Sequence, residues 1–267
     1  MSYHAIFDRL WKQYSSEISE AREIYKLFTE QGEKVINDHI ALRTFNDPRV
    51  NTEFLAKPFI AVGYVEKGHY DFPVKQLKAK HYEHADKEAP KVFISELLVE
   101  KFSPALQQAV KAMIDKVPHS ILQNPNQLLF CKTPWQPLSY KLYEKLLAES
   151  QYAAWMYAYG YRANHFTISV NSLKKFPTLQ AVNDFVKKHG FILNTSEGEI
   201  KGTPAELLEQ SSTMAGKQKV KFEEGEFEIP SCYYEFAKRY PGKDGKLYQG
   251  FIAASADKIF ESTDTKK

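Results

Sequence analysis

The sequence has few cysteines and no long hydrophobic runs. Cys131 and Cys232 are the two cysteines among 267 residues, and their separation predicts neither a disulfide framework nor a cysteine-based metal or redox pair. No apolar run approaches the length of a membrane span, and residues 1–10 lack the apolar core of a secretory signal. These absences argue against a membrane partner and predict a protein of the reducing cytoplasm.

The charges of the two signs nearly balance. There are 36 Lys and Arg residues against 33 Asp and Glu residues, a net charge of +3, with no basic cluster interleaved with aromatic residues. This balance argues against nucleic acid as a partner. No glycine-rich loop follows a predicted strand, which argues against a nucleotide-binding fold. Aromatic residues are plentiful at 14%, which suits a sheet-rich fold with an aromatic-lined cavity.

An internal repeat is built around two histidines. His39 lies in an extended run that begins at Asp38, and His165 lies in another that begins at Asn164. A helix-like stretch that ends at a glycine and an aromatic residue follows each run at nearly the same distance. Each copy then closes with strand-like residues. One such histidine could merely fill the core. Because the two histidines occupy matching places in the repeat, that coincidence would have to occur twice.

The chain reads as a single catalytic domain, residues 1–267, with four parts. These are an N-terminal helical cap at 3–32, a first repeat at 38–100, a helical insert at 103–160 and a second repeat at 164–254. A strand, a helix and further strands, repeated twice, predict an α+β fold of paired βαβββ modules that form a curved sheet around a metal site. Within the second copy we predict a short helix at 204–210 and a closing strand at 247–253.

Each repeat carries one glutamate in its last strand-like run. Two histidines and a carboxylate on one scaffold are the ligand set of a non-haem iron(II) oxygenase. Glu235 stands among bulky residues and is predicted to be buried, where a carboxylate needs a metal, a cation or a proton. Glu96 raises the same question, and periodicity does not decide between them. We prefer Glu235 for the metal and interpret Glu96 as a relic of the duplication or a partner of a buried base.

Arg43 shares a predicted strand face with His39. At about 3.3 Å per residue their Cα atoms lie roughly 13 Å apart, a span that fits a metal, a small acid and a guanidinium. The apolar residues on this face turn Arg43 inward, where it needs an anion. A rival cluster, residues 81–84 with two histidines and a glutamate, lies in a charged stretch that is typical of a solvated loop.

Five segments that recur in order resemble the 2-oxoadipate dioxygenase/decarboxylase family. They run from Asp38 to Phe45, Asn164 to Thr167, Gly202 to Thr213, Tyr233 to Phe236 and Tyr248 to Phe251. The resemblance covers nearly the whole chain, and the family looks like a branch of the vicinal-oxygen-chelate superfamily, akin to hydroxymandelate synthase. It implies Fe(II) held by His39, His165 and Glu235, and it implies that Arg43 binds a substrate carboxylate.

The reaction that the resemblance implies is oxidation of 2-oxoadipate by O2 to 2-hydroxyglutarate with release of CO2, a step of lysine catabolism. Three protein ligands would leave three positions on iron, two for a chelating 2-oxo acid and one for O2. Ser211, Ser212 and Gln249 are predicted polar residues of the substrate site. Two alternatives stay open. One is another metal-dependent enzyme on this scaffold, either an extradiol dioxygenase or an isomerase that could use Glu96. The other is a non-catalytic module that binds a small ligand.

Overall fold

The repeated segments form the centre of a curved eight-stranded sheet. The computed structural model of the chain describes residues 2–263. The strands are β1 (Asn37–Phe45), β2 (Val65–Phe72), β3 (Leu77–Glu83), β4 (Lys91–Leu97), β5 (Ala163–Ser169), β6 (Lys201–Thr203), β7 (Leu208–Ser212), β8 (Lys217–Phe222), β9 (Gly225–Pro230) and β10 (Glu235–Arg239). The order in the large sheet is β2-β3-β4-β1-β5-β10-β7-β6, and β8 and β9 form a separate hairpin.

Helices cover the sheet and connect its strands. They are α1 (Tyr3–Glu17), α2 (Ser19–Glu30), α3 (Thr52–Ile60), α4 (Pro104–Asp115), α5 (His119–Leu122), α6 (Pro125–Phe130), α7 (Tyr140–Glu149), α8 (Gln151–Tyr159), α9 (Leu179–Lys188) and α10 (Ala253–Phe260). The first two lie where the N-terminal cap is predicted, and α4 to α8 lie in the predicted insert. In the range 2–263, no helix has both the length and the apolar character needed to cross a membrane.

Both copies follow the same order of elements, which confirms the predicted paired βαβββ fold. The first copy is β1-α3-β2-β3-β4, and the second is β5-α9-β6-β7-β10 with one added hairpin. In each copy the first strand pairs parallel with the last, β1 with β4 and β5 with β10. The two first strands then pair antiparallel with each other. The histidine strands are therefore neighbours in the middle of the sheet.

An aromatic core lies between β5 and helix α1. The ring of Phe166 lies 5.1 Å from the rings of both Trp11 and Tyr14, and the ring of Tyr234 lies 5.8 Å from that of Trp11. Burying one such side chain stabilises the fold by about 1.5–3 kcal/mol. Because side chains alternate along a strand, the packing of Phe166 against α1 directs its neighbour His165 to the other face of the sheet.

Two local predictions in the second copy are wrong. Residues 247–253 form no strand. Backbone pairing is limited to one bridge between Leu247 and Pro241, and Arg239 donates to the carbonyl oxygens of Tyr248 and Gly250, at 3.0 and 2.8 Å. The chain continues from there into α10. The helix expected at 204–210 is a single 3₁₀ turn, because Leu207 adopts a left-handed φ of 67° and β7 begins at the next residue.

Candidate metal centre

His39 lies near the start of β1 and is 2% exposed. Its Nδ1 lies 2.8 Å from Asp38 Oδ1, and its Nε2 lies 3.3 Å from Glu235 Oε1. An ionised carboxylate can only accept, so Nδ1 donates to Asp38 and Nε2 is the ring nitrogen left to bind a metal. The hydroxyl of Thr167 lies 3.1 Å from this Nε2. Arg239 holds Asp38 in turn, since its Nε and Nη2 donate to the two carboxylate oxygens at 2.6 and 2.8 Å. The sheet therefore holds His39 in an orientation that suits metal binding.

His165 lies on β5 and is paired with Ala41 of β1. Its Nε2 lies 3.2 Å from Glu235 Oε2, and its Nδ1 lies 3.1 Å from Asn164 Oδ1. The ring also stacks on Tyr233, with the two centroids 4.7 Å apart. The amide oxygen of Asn164 accepts from Nδ1 as Asp38 does in the first copy, so Nε2 of His165 is again directed at the shared carboxylate.

Glu235 is the first residue of β10 and is 1% exposed. In the sheet it is paired with Thr167 of β5, which is itself paired with His39. Gln210 of β7 donates from Nε2 to Glu235 Oε1 at 2.6 Å. The ligand atoms of the two histidines and Glu235 all lie within 4.8 Å of one another. The structure thus brings the three predicted ligands together from three adjacent strands.

The protonation of the three groups suits a cation between them. Burial lowers the pKa of His165 to about 3. Burial also opposes protonation of His39, but the charge of Glu235 and the hydrogen bond to Asp38 outweigh it and raise the pKa of His39. For Glu235, attraction by the histidines outweighs burial, which on its own favours the neutral acid, and the pKa of Glu235 is lowered. A metal requires an ionised carboxylate and displaces any proton from imidazole nitrogen.

The donor set fits a divalent transition metal. Separations of 3.2 and 3.3 Å between ligand atoms resemble the spacing of about 3 Å expected around an octahedral ion with bonds near 2.1 Å. Within residues 2–263, His165 Nε2 and Glu235 Oε2 have no hydrogen-bond partner. Buried polar atoms rarely lack a partner, and an ion bound here would supply one.

A small cavity lies in front of the metal ligands and is covered by the C-terminal part of the chain. The ring of Phe251 meets that of His39 edge to face, with centroids 4.8 Å apart. Ile259 and Phe260 of α10 line the same cavity. Its volume is about 20 Å³, which is room for about one water molecule. We call Phe251 together with α10 the cover.

Arg43 lies beyond the cover on the same face of β1 as His39. It is 3% exposed, and its guanidinium carbon lies 4.8 Å from the ring centroid of Trp155 and 5.0 Å from that of Tyr152. Its Nε has no hydrogen-bond partner in residues 2–263. A second cavity, of about 190 Å³, is lined by Arg43, and Phe260 lines both this cavity and that of the metal ligands.

The three predicted polar residues of the substrate site do not line the metal cavity. Ser211 lies on the other face of β7, where its hydroxyl donates to Asn183 Oδ1 at 2.6 Å. The hydroxyl of Ser212 forms a hydrogen bond with the hydroxyl of Ser262, with the two oxygens 2.7 Å apart. Gln249 is exposed and lines a different, outer cavity. Alternation along β7 instead places Gln210 beside Glu235, one position from the predicted serine.

Glu96 faces away from the metal ligands. In the pairing of β1 with β4, Arg43 is opposite Ser95, so Glu96, opposite Thr44, lies on the other face of the sheet. Its Oε2 accepts from the backbone N–H of Thr52 at 3.0 Å, at the start of α3. The role seen for Glu96 is therefore to cap a helix, which is neither metal binding nor the pairing with a base that we expected.

The rival histidine cluster is not a solvated loop. His81 lies on β3, which pairs with β2 and β4, and it is 3% exposed. Its Nε2 lies 2.9 Å from Glu83 Oε1, and its Nδ1 lies 2.9 Å from the hydroxyl of Tyr70. Among residues 2–263, the one cluster of His, Cys, Asp or Glu with metal-ligand spacing is that of His39, His165 and Glu235.

Sequence similarity agrees with this geometry. Residues 2–246 match the family described as 2-oxoadipate dioxygenase/decarboxylase. The chain belongs to this family. A 2-oxoadipate dioxygenase/decarboxylase from Oryza sativa is 32% identical in an alignment that covers 98% of this chain and 78% of the rice protein. The predicted family is thereby confirmed, and with it the prediction that the protein is an enzyme.

Solved structures share the family fold. The hydroxyglutarate synthase of Oryza sativa, solved with 2-oxoadipate, has a TM-score of 0.91 and 31% identity over 98% of this chain and 91% of its own. A Shewanella frigidimarina protein that is provisionally described as a hydrolase has a TM-score of 0.89 and 50% identity over 94% of this chain and 98% of its own. A Ralstonia eutropha protein provisionally assigned to the glyoxalase superfamily shows the same fold at 21% identity, with a TM-score of 0.78 over 94% and 86% of the chains.

Proposed function

We propose that this chain is an Fe(II)-dependent dioxygenase/decarboxylase that converts 2-oxoadipate and O2 to 2-hydroxyglutarate and CO2. The observation that carries the proposal is the triad of His39, His165 and Glu235 with a buried arginine further along the same strand face. The balance of atoms requires one O2 consumed and one CO2 released for each 2-oxoadipate. With this substrate the enzyme would act in lysine catabolism, and we expect it in the cytoplasm.

His39, His165 and Glu235 would hold the iron. A bound Fe(II) ion supplies coordination positions for the 2-oxo acid and for O2, and the electrons that activate O2. Asp38 and Asn164 keep the two Nε2 atoms directed at the ion, because each accepts from the corresponding Nδ1. The donation from Gln210 fixes one oxygen of Glu235 and favours its ionised form.

Arg43 would bind the distal carboxylate of the substrate. Its guanidinium is always charged and can donate two parallel hydrogen bonds to a carboxylate. The rings of Trp155 and Tyr152 keep water from it, which strengthens the attraction for an anion. With one end of the acid at the metal and the other at Arg43, the chain length of the acid decides which carbon is presented for oxidation.

The position of Glu96 favours this function over an isomerase on the same scaffold. An isomerase would need a second carboxylate near the metal as a base, and Glu96 is the residue predicted for it from the sequence. In the sheet the residue of the first copy that matches Glu235 is Phe93, which is paired with Ala41 as Glu235 is with Thr167. Because Glu96 lies on the other face of the sheet and caps α3, it cannot take that role. Among the described residues, the carboxylate with metal-ligand spacing to the histidines is Glu235.

Oxygen uptake tests the proposal. Protein reconstituted anaerobically with Fe(II) is mixed with 2-oxoadipate, and separately with shorter and longer 2-oxo acids, while O2, CO2 and the hydroxy acid are quantified. We expect uptake that is fastest with 2-oxoadipate, with equimolar CO2 and 2-hydroxyglutarate, and none after reconstitution with Zn(II). Protein that binds one iron per chain and consumes no O2 with any of these acids would refute the proposal.

Arg43 is tested by substitution. We expect Arg43→Ala to raise KM for 2-oxoadipate about a hundredfold, because the distal carboxylate loses a buried partner, and to leave the Fe(II) dissociation constant unchanged. Arg49→Ala is the matched control, since Arg49 binds Asp47 and Asp115 at 2.7 Å away from the metal cavity. An equal loss of iron affinity and substrate affinity in Arg43→Ala would remove Arg43 from this role.

A further inference from the structure

The side chain of Lys91 is mostly buried, and its ammonium group faces a cavity. It begins β4, where it is paired with His39 of β1, and it is 8% exposed. Within residues 2–263 its Nζ makes no hydrogen bond and no salt bridge. Nζ is not among the buried atoms that lack a partner, so it is accessible from the cavity that Lys91 lines. A lysine with a mostly buried side chain is normally paired, and an anion in this cavity would pair with Lys91.

The nearest carboxylates are already occupied. Asp38 accepts two hydrogen bonds from Arg239 and one from His39, and Glu83 lies 2.9 Å from the Nε2 of His81. Burial lowers the pKa of Lys91, and the more distant charges of Asp38 and Glu83 do not restore it. An anion in direct contact with the ammonium group would do so, because attraction rises steeply at short range.

Lys91 lines a cavity that could hold such an anion. The cavity has a volume of about 550 Å³ and is also lined by Lys87, Lys246, Gln249, Glu83 and Asp86. Asp86 is engaged by the hydroxyl of Tyr3 at 2.5 Å, whereas the two exposed lysines offer further donors to a bound anion. The amide of Gln249 already donates to the carbonyl oxygen of Leu247 at 2.8 Å and has one N–H left. This volume lies within the range of small-molecule sites.

We propose that this cavity is a binding site for a small oxyanion, a carboxylate or a phosphate, with Lys91 as its buried positive group. The site is separate from the proposed substrate site, because the metal cavity and the Arg43 cavity have no lining residue in common with it. Its wall from Gly245 to Gln249 leads directly into Phe251 of the cover. An anion held by Lys91, Lys246 and Gln249 would therefore restrain the segment that closes the metal cavity.

Titration calorimetry on the full chain tests the site, with inorganic phosphate and glutarate as separate probes. We expect the wild-type protein to bind one phosphate per chain and Lys91→Met to weaken that binding at least about tenfold. Lys91→Arg keeps the charge and is expected to retain binding within about threefold. Lys188→Met, which removes an exposed lysine at the end of α9, and Arg43→Ala are expected to bind phosphate as the wild type does.

Three results would overturn the proposal. They are the absence of phosphate binding to the wild type, unchanged binding in a folded Lys91→Met, and loss of binding in Arg43→Ala, which would assign the anion to the substrate site. If Arg43→Ala no longer binds glutarate but still binds phosphate, the Lys91 site is specific for phosphate. Should Lys91→Met fail to fold, wild-type crystals soaked in selenate provide the test. An anomalous peak within about 3.5 Å of Lys91 Nζ is expected, and its absence at saturating selenate would refute the site.

Discussion

The two copies of the repeat present the same ligand with different supports. Behind His39 stands an ion pair, Asp38 with Arg239, whereas behind His165 stands a neutral amide, Asn164. The atom required at the metal is Nε2 in both copies, and either support supplies the acceptor for Nδ1. The comparison teaches that the sheet fixes the position of the ligand, while the charge behind it is free to differ.

The copies also differ in a hairpin. In the first copy β2 and β3 extend the large sheet, whereas the added hairpin of the second copy, β8 and β9, lies apart from it. This hairpin is joined to the helical insert by Glu224 in its turn, which accepts from the backbone N–H of Tyr140 at 2.6 Å and from the hydroxyl of Ser139 at 2.8 Å. The second copy has thus gained a contact that does not involve the metal.

Removal of either histidine should have the largest effect and should erase the difference between the copies. We expect His39→Ala and His165→Ala each to weaken Fe(II) binding by at least about a hundredfold, more than the loss of an outer partner does. The far-ultraviolet circular dichroism should be unchanged. Anaerobic Fe(II) titration measures the affinity of each variant. A loss confined to one of the two variants would mean that the copies do not share the metal.

Substitution behind His39 should separate stability from metal binding. Asp38→Asn leaves the charge of Arg239 buried without its partner, so we expect a loss of about 3–5 kcal/mol in the free energy of unfolding. Fe(II) affinity should fall less than about tenfold, because the amide that replaces the carboxylate can still accept from His39 Nδ1, as Asn164 does for His165. Urea unfolding and metal titration give the two values. The double variant Asp38→Asn with Arg239→Met should regain part of the stability and none of the affinity.

Substitution behind His165 should be milder. Asn164→Ala removes one neutral hydrogen bond and strands no charge, so we expect a loss of about 0.5–1.5 kcal/mol in the free energy of unfolding. Fe(II) affinity should fall less than tenfold, because the stacked ring of Tyr233 still positions His165. The same two measurements apply. An effect as large as that of Asp38→Asn would contradict the distinction between a charged and a neutral support.

The added hairpin should show the smallest effect, and that effect should disappear in acid. Hydrogen bonds, first of all that from the Tyr140 backbone, lower the pKa of Glu224 to about 2, below its ordinary value of 4.5. A lowered carboxylate pKa stabilises the fold above pH 4.5, and this contribution is lost as the pH falls toward 2. We expect the urea midpoint of Glu224→Gln to depend less on pH between pH 4.5 and 2 than that of the wild type. Glu226→Gln, in the same hairpin, should match the wild type.

A part of the site could be predicted from the sequence when the residues that form it are close together along the chain. His39 and His165 stand out because each opens a strand at the same place in a repeated unit. Their supports differ in this respect: Asn164 adjoins its histidine, but Arg239 lies 201 positions from Asp38, and no local pattern joins such a pair. The Asp38–Arg239 ion pair became visible only through the pairing of β1, β5 and β10.

The errors have equally local causes. The helix predicted at 204–210 overlaps β7, and a shift of one position along a strand moves a side chain to the other face, as it does from Ser211 to Gln210. The strand predicted at 247–253 has the bulky residues of a strand. Its backbone is instead held by Arg239, a contact that depends on the folded sheet.

The cover has a consequence for the rate of the enzyme. With room for about one water molecule, the metal cavity can neither admit a six-carbon acid nor release a five-carbon one while Phe251 and α10 are in place. Each turnover must therefore include the departure and return of the last helix, and motions of this kind often limit kcat. Solvent friction acts on a moving helix and not on bond making. The maximal rate should therefore fall as sucrose or glycerol thickens the medium, even if the chemical step itself is fast.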